Sequence, residues 1–380
     1  MPTADELIST RTVAGLVGVL TAAAPDRTWE TVAASGTALA GLSLSERAQA
    51  IRDALLADLP GDHPGAAAIV EAALGDPAFT GWMIWPVTEA VAVLALGGPH
   101  PRGGPVEQKP RDRSEAGDFE AGLGLLAALT GRLTGEFALR AFLNADLDRT
   151  LATVAGWTSD PDAHVRRLAS EGTRPRLPWA KQVAALKRRP DATQPILDAL
   201  YRDNEEYVRR SVANHLNDVS RLDADLAVDT AARWLADPEP TTPRLVRHAM
   251  RTLVKAAHPG ALALLGFPPP AGVAVSGPHL AEAAVRPGGE LAFEVVVANE
   301  GERDANLVID YVVHHRRADG RLAPKVFKLA TRVVPAGERL TITRRHSFRP
   351  ISTRRYYPGE HAIEVQVNGV RSGLVSFVLG

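Results

Sequence analysis

The sequence predicts a mainly α chain that ends in an all-β module, and three observations carry that prediction. Two stretches place an acidic turn five residues before Val-Arg-Arg: Asp160 leads to Val165-Arg166-Arg167, and Asp203 leads to Val208-Arg209-Arg210, 43 residues further on. A helix pair repeating every forty-odd residues is the signature of a HEAT-like α-solenoid. A second register agrees, because Trp157-Thr158-Ser159-Asp160-Pro161 returns as Trp234-Leu235-Ala236-Asp237-Pro238. After Phe267-Pro268-Pro269-Pro270-Ala271-Gly272 the apolar period changes from that of a helix to that of a strand. The expected division is therefore a HEAT-like solenoid over residues 1–268 and an immunoglobulin-like β-sandwich over 272–380.

Composition narrows the chemistry. With 380 residues, 45% of them apolar, the chain is long enough to bury a sizeable core. It has no cysteine, which removes disulfides, thiolate nucleophiles and Cys-ligated zinc. No secretory apolar segment follows a basic start and no long uninterrupted apolar run occurs, so the expectation is a soluble, cytoplasmic protein without membrane contact. The net charge of −1 conceals a gradient: −8 over residues 1–130, +3 over 131–260 and +4 over 261–380. Positive charge concentrated on the repeats and the β module points to an anionic partner.

In chain order, Leu7, Ile8, Val13, Leu16, Val17 and Leu20 recur at three and four, as the buried stripe of a helix requires. Ser43 and Glu46 signal a capped helix start, and Trp82 to Pro86 open a helix over 87–96. The Gly- and Pro-rich segment 97–117 reads as a mobile surface loop. Helix resumes at Phe119. Glu136 and Arg140 then stand four apart as a solvated ion pair.

Glu171 falls at a helix end just before Gly172, where the dipole disfavours a surface carboxylate. Pro175 and Pro178 hold Trp179 on a stiff, non-helical segment, displayed for contact. Val208, Val212, Leu216 and Val219 form a buried ridge, with Arg210, Asn214, Asn217, Asp218 and Arg221 opposite. Arg244, Arg247, Arg251 and Lys255 read as one basic face suited to phosphates. Roughly seven strands follow, among them 291–297, 307–313 and 363–367.

Several of these stretches together resemble the AlkC-type DNA alkylation repair glycosylases. They are Trp85-Pro86-Val87 with Glu89, residues 134–140, 165–179 and 208–218, and in the β module Asn306 to Tyr311, Pro324 to Lys328 and Tyr357 to His361. The resemblance implies a monofunctional glycosylase that excises cationic N3-methylated bases, 3-methyladenine above all and 3-methylcytosine with it, from duplex DNA without deep base flipping. It implies a site of Glu136, Glu171, Asp218 and Trp179. A base already positively charged leaves readily, so the protein has to stabilise the oxocarbenium-like sugar and deliver water to C1′. Glu171 is then the carboxylate beside C1′ and the water, Glu136 and Asp218 its electrostatic partners, and Trp179 the ring against the sugar. This chemistry calls for neither metal nor redox cofactor. Arg140, Arg166, Arg174, Arg176, Arg209, Arg210, Arg247 and Arg251 are the expected phosphate contacts, and a monomer suffices for asymmetric DNA. The competing reading is a non-catalytic HEAT-like scaffold for DNA or protein. What separates the two is whether Glu136, Glu171 and Asp218 converge.

Overall fold

The computed structural model describes residues 3–98, 113–351 and 354–380, with side chains of 113–117 outside the description. It divides into two compact units, Met1–Asp223 with Asp237–Ala249, and Ala224–Ala236 with Met250–Gly380.

The first unit is helical throughout. Ser43 caps Leu44–Asp58 in a reciprocal box with Glu46, whose carboxylate accepts from the Ser43 backbone N–H at 2.8 Å. Ile84–Ala95 begins three residues earlier than expected, because Pro86 falls in the first turn, where its missing N–H has no acceptor to disappoint. Part of the loop expected over 97–117 is helical: Arg113–Thr130 is one helix, opening six residues before Phe119, since no proline follows Pro110 to stop it. Residues 99–112 lie outside the described residues. The stretch Ala4–Ala23 is apolar and long enough to cross a membrane by composition alone, but it is broken between Leu7 and Thr10 and buries Val13, Leu16, Val19 and Leu20 within the unit.

The repeat is physical. Ala163–Glu171 packs on Glu206–Val219, which packs on Thr242–Ala249. Val165, Leu168, Val208, Val212, Leu216 and Val219 are all buried between them. The first arginine of each Val-Arg-Arg does the same work: Arg166 donates to the carbonyl of Asp160 at 2.8 Å, and Arg209 donates to the carbonyl of Asp203. Arg166 also reaches the next repeat, donating from Nε and Nη2 to the two carboxylate oxygens of Asp203 at 2.6 and 3.2 Å. The 43-residue spacing is thus written in hydrogen bonds between turns. Such bidentate pairs fix the geometry of neighbouring repeats as well as attracting.

In the second unit eight strands are described: β1 Val273–Leu280, β2 Ala284–Val285, β3 Glu290–Asn299, β4 Ala305–Arg316, β5 Leu322–Val334, β6 Arg339–Ser347, β7 Gly359–Val367 and β8 Val370–Leu379. They form a sheet β1-β3-β6 and a sheet β2-β8-β7-β4-β5, antiparallel except where β2 meets β8. Leu291, Phe293, Val295 and Val297 from one sheet meet Ile309, Tyr311, Ile363 and Val365 from the other. That is a sandwich core made from alternate residues of each strand. The expected single basic helix from Arg244 to Lys255 is interrupted: Thr242–Ala249 ends before Met250 and Arg251–Lys255 is a separate short helix.

β4 buries residues on both faces over Leu307–Val313, and this puts Asp310 indoors. Burial pushes its carboxyl up to about 6 from 3.8, against the opposing charges of Lys328 and Lys255. A folded value above the unfolded one means the folded protein holds the proton more tightly, so stability from this group is full below the unfolded value and lost as pH rises through the folded one. Asp310→Asn should therefore stabilise the chain by about 2 kcal/mol near pH 7.5 and have little effect near pH 4. Denaturant unfolding at the two pH values checks this; equal gains at both would contradict the assignment.

Candidate active site

Three carboxylates from three helices converge. Glu136 is the first residue of Glu136–Ala145, Glu171 the last of Ala163–Glu171, and Asp218 the penultimate residue of Glu206–Val219. Two arginines stitch them into one line of alternating charge. Arg167 Nη1 donates to Glu136 Oε2 at 2.8 Å and its Nη2 lies 3.8 Å from Glu171 Oε1. Arg174 Nη1 donates to Glu171 Oε1 at 2.5 Å, and its Nε donates to Asp218 Oδ2 at 2.8 Å. Glu171, Arg174 and Asp218 are all more than nine-tenths buried. Three carboxylates alternate with two guanidiniums here, and a third, the fully buried Arg140, lies close enough for its charge to act on Asp218.

The helix dipoles act oppositely on the two glutamates. Glu136 sits in a first turn, where backbone N–H groups favour a carboxylate; Glu171 sits at a last turn, where carbonyls repel it. Arg174, one turn beyond, offsets the repulsion. A hydroxyl offsets it further: Ser211 donates to Glu171 Oε2 at 2.7 Å. With its one proton committed there, Ser211 accepts from Ser170, 3.0 Å away. His215 Nδ1 lies 2.8 Å from the Ser170 carbonyl, which can only accept, so Nδ1 carries the proton and Nε2 accepts from Thr193 at 3.0 Å. His215 is fully buried, and burial, reinforced by the charges of Arg174 and Arg140, lowers it to about 3, so it is neutral at working pH. Asp218 behaves in the opposite sense to a simple ion-paired acid: burial raises its proton affinity, and the bond and charge of Arg174 offset this only in part.

Arg140 does not pair with Glu136 and does not face a phosphate. It is fully buried, donating from Nε to the carbonyl of Lys181 at 3.0 Å and from Nη1 to those of Gly172 and Arg174 at 3.2 and 2.6 Å. Burial first, and the charge of Arg174 next, lower it to about 10. Its work is to clip both ends of the segment that carries Trp179. At one of those ends a Cβ on Gly172 would lie 2.5 Å from Leu139 Cδ2, so only glycine lets the helix end close there. Trp179 itself has φ +62° and is 73% exposed. A bulky residue in left-handed backbone stores strain that the flanking clips must hold. The ring lines a cavity of about 260 Å³ together with Trp85, Glu89, Phe137, Lys181 and Arg52. Trp85 is stacked on Phe137 with centroids 4.6 Å apart and donates to Glu89 at 3.0 Å.

The structure thus brings Glu136, Glu171 and Asp218 together, and sets Trp179 against a neighbouring cavity. Of the arginines expected at phosphates, Arg140 and Arg174 are buried and engaged within the protein, Arg166 is a half-buried bridge between two turns, and the half-buried Arg209 is bonded to the carbonyl of its own turn. A buried guanidinium is out of a phosphate's reach, so the expectation is corrected for Arg140 and Arg174, while Arg166 and Arg209 spend donors on backbone carbonyls. Arg176, Arg210 and Arg247 are exposed, while Arg251 in the second unit is half-buried. Sequence reasoning passed over Arg167, Ser211 and His215. The signal for the last two was present: both stand in the apolar stripe with Val208, Val212 and Leu216, where a polar side chain must have a partner. Among the described residues no group of three or more His, Asp or Glu is arranged to hold a metal ion.

Residues 274–380 match the family described as the C-terminal Ig-like domain of the uncharacterised protein YhaZ. The uncharacterised protein YhaZ of Bacillus subtilis (strain 168) is 36% identical over 251 residues, 66% of this chain and 70% of its own length. The structure of Pseudomonas fluorescens alkylpurine DNA glycosylase AlkC bound to DNA containing an abasic site analog is similar over 100% of both chains, with a TM-score of 0.84 and 31% identity.

Removing Arg174 would leave Glu171 and Asp218 buried without their shared cation. Arg174→Met should cost about 3–5 kcal/mol of stability, and adding Glu171→Gln and Asp218→Asn should recover much of it. Denaturant unfolding of the single and triple variants measures this. Loss under about 1 kcal/mol in the single variant would show that the cluster is solvated.

Proposed function

The chain belongs to the AlkC family of DNA alkylation repair proteins, and from that premise we propose that it is a DNA glycosylase that hydrolyses the N-glycosidic bond of cationic N3-methylated bases in duplex DNA, 3-methyladenine foremost and 3-methylcytosine with it. The observation that carries the reading is the gathering of Glu136, Glu171 and Asp218 around Arg167 and Arg174. A scaffold that only bound DNA would have no use for two buried carboxylates, Glu171 and Asp218, with a third, the half-buried Glu136, beside them, and that burial would count against it.

N3 methylation gives the base its positive charge, and departure of the base with the C1′–N electron pair neutralises it. No acid is needed. Positive charge then develops on the sugar, and a fixed negative site of low local dielectric stabilises it as the bond breaks. Glu171, with Arg174 on one oxygen and Ser211 on the other, is held in one orientation and serves as that charge beside C1′. Water adds to C1′ from the open face and gives up its proton to a carboxylate. Asp218, whose burial raises its proton affinity, suits that acceptance. Glu136, fastened by Arg167, completes the field. Trp179 offers its face to the sugar or to the cationic nucleotide. Selection follows from the lability of the cationic base, so neutral lesions should remain intact. Arg176, Arg210 and Arg247 supply exposed positive charge for the backbone, and the protein acts as a monomer.

Release of 3-methyladenine from methylated duplex DNA tests the reading. Wild-type protein should release it, and Glu171→Gln should slow release by about 100-fold or more. No release by wild type, or equal release by the variant, would refute it. Arg247→Ala should weaken duplex binding and reduce the slope of log affinity against log salt by about one, whereas Arg166→Ala should leave that slope unchanged. Titrations across a range of ionic strength distinguish the two.

A further inference from the structure

Arg167 stands between two carboxylates at unequal distances, 2.8 Å from Glu136 and 3.8 Å from Glu171. Charge favours Glu136, because Glu171 already carries Arg174 on Oε1 and Ser211 on Oε2. A long flexible side chain on the same helix could nonetheless swing between the two. What bounds the guanidinium on its remaining side is Tyr207, from the following repeat. The Arg167 guanidinium carbon lies 5.2 Å from the centre of the Tyr207 ring. The ring is in turn met edge-on by His164, with centroids 5.6 Å apart. His164 and Tyr207 are 43 residues apart and occupy the same place in the repeat, each immediately before Val-Arg-Arg. The aromatic of one repeat thus covers the second arginine of the repeat before it.

Building on the function proposed above, we propose that Tyr207 is a positioning residue of the reaction. Its ring holds Arg167 on Glu136 and keeps it from closing on Glu171. The consequence is electrostatic. Were Arg167 to join Arg174 on Glu171, that carboxylate would face two cations and lose its negative potential toward the sugar, while Glu136 would be left without a partner. A ring beside the guanidinium holds it by cation–π attraction without adding another charge to the site. Burial raises the Tyr207 phenol, opposed by the charge of Arg167 and by its hydrogen bond with the phenol and reinforced by Glu136 and Glu171, so the side chain remains neutral through the working range, and Tyr207→Phe separates the ring from the hydroxyl. Tyr207 is 44% exposed, so replacing it removes little of the core.

The test compares Tyr207→Phe, Tyr207→Leu and Arg167→Ala with wild type. Tyr207→Leu should slow single-turnover base release roughly tenfold while leaving the affinity for a duplex with an abasic analogue unchanged, Tyr207→Phe should stay within about threefold of wild type, and Tyr207→Leu should add nothing in the Arg167→Ala background. A second arm needs no activity: in arginine-labelled protein the Arg167 Nε–Hε signal should be sharp and ring-shifted in wild type and Phe variant, and averaged in the Leu variant. A leucine variant with full rate, a defect confined to duplex affinity, full additivity with Arg167→Ala, or an unmoved Arg167 signal would each overturn the proposal. If wild type releases no base, the glycosylase reading fails, and the Arg167 signal still decides the positioning.

Discussion

The Arg174 guanidinium, fixed between Glu171 and Asp218, is the interaction on which the architecture around the site depends. Two carboxylates out of water repel one another and are separately costly; one shared cation with directional N–H groups makes the pair tolerable. That sharing demands a particular register between Ala163–Glu171 and Glu206–Val219, since a helix shifted by one residue would aim Asp218 elsewhere. Two devices keep the register. On one end Arg166 grips Asp203; within the interface Ser211 joins Glu171 and His215 joins the Ser170 carbonyl. The helix stack and the acidic cluster are therefore one construction, and neither can be adjusted without the other.

The arginines divide into two populations that composition alone cannot separate. Those that open each Val-Arg-Arg turn inward to backbone carbonyls, and Arg140 and Arg174 are buried altogether. Others, such as Arg176 and Arg247, stay in solvent. The basic character of the middle of the chain is thus partly the means by which repeats are fastened. Guanidinium serves this better than ammonium because its planar fork reaches two acceptors at once.

Much of this was legible in the residues. The 43-residue spacing led to the helix stack, the change of period after Phe267 led to the sandwich, and the arginine motifs led through a family resemblance to the acids that converge. What was not legible depended on distances across repeats. Glu136 and Arg140, four apart, look like partners, yet each turns to a residue some thirty or more positions away. Local spacing states which side chains share a face but not which neighbour they meet there, and a buried arginine will take carbonyls over a nearby carboxylate if the fold supplies them at the right angles. The break at Met250 was hidden for a similar reason: Arg244, Arg247, Arg251 and Lys255 keep helical spacing through a point where the backbone itself leaves the helix.

Arg140 holds the carbonyls of Gly172, Arg174 and Lys181, and between them stands the outward-turned indole of Trp179 on left-handed backbone. Because that peptide is pinned from both sides by a cation sealed inside the protein, its freedom is surrendered when the chain folds rather than when anything docks. An aromatic surface presented in this way meets whatever approaches it without a further entropic toll on its own main chain. The ring is therefore an anvil already in place, and its loss would differ in kind from the loss of a side chain on a loose loop: removing the latter also removes an ordering cost, whereas here none is refunded.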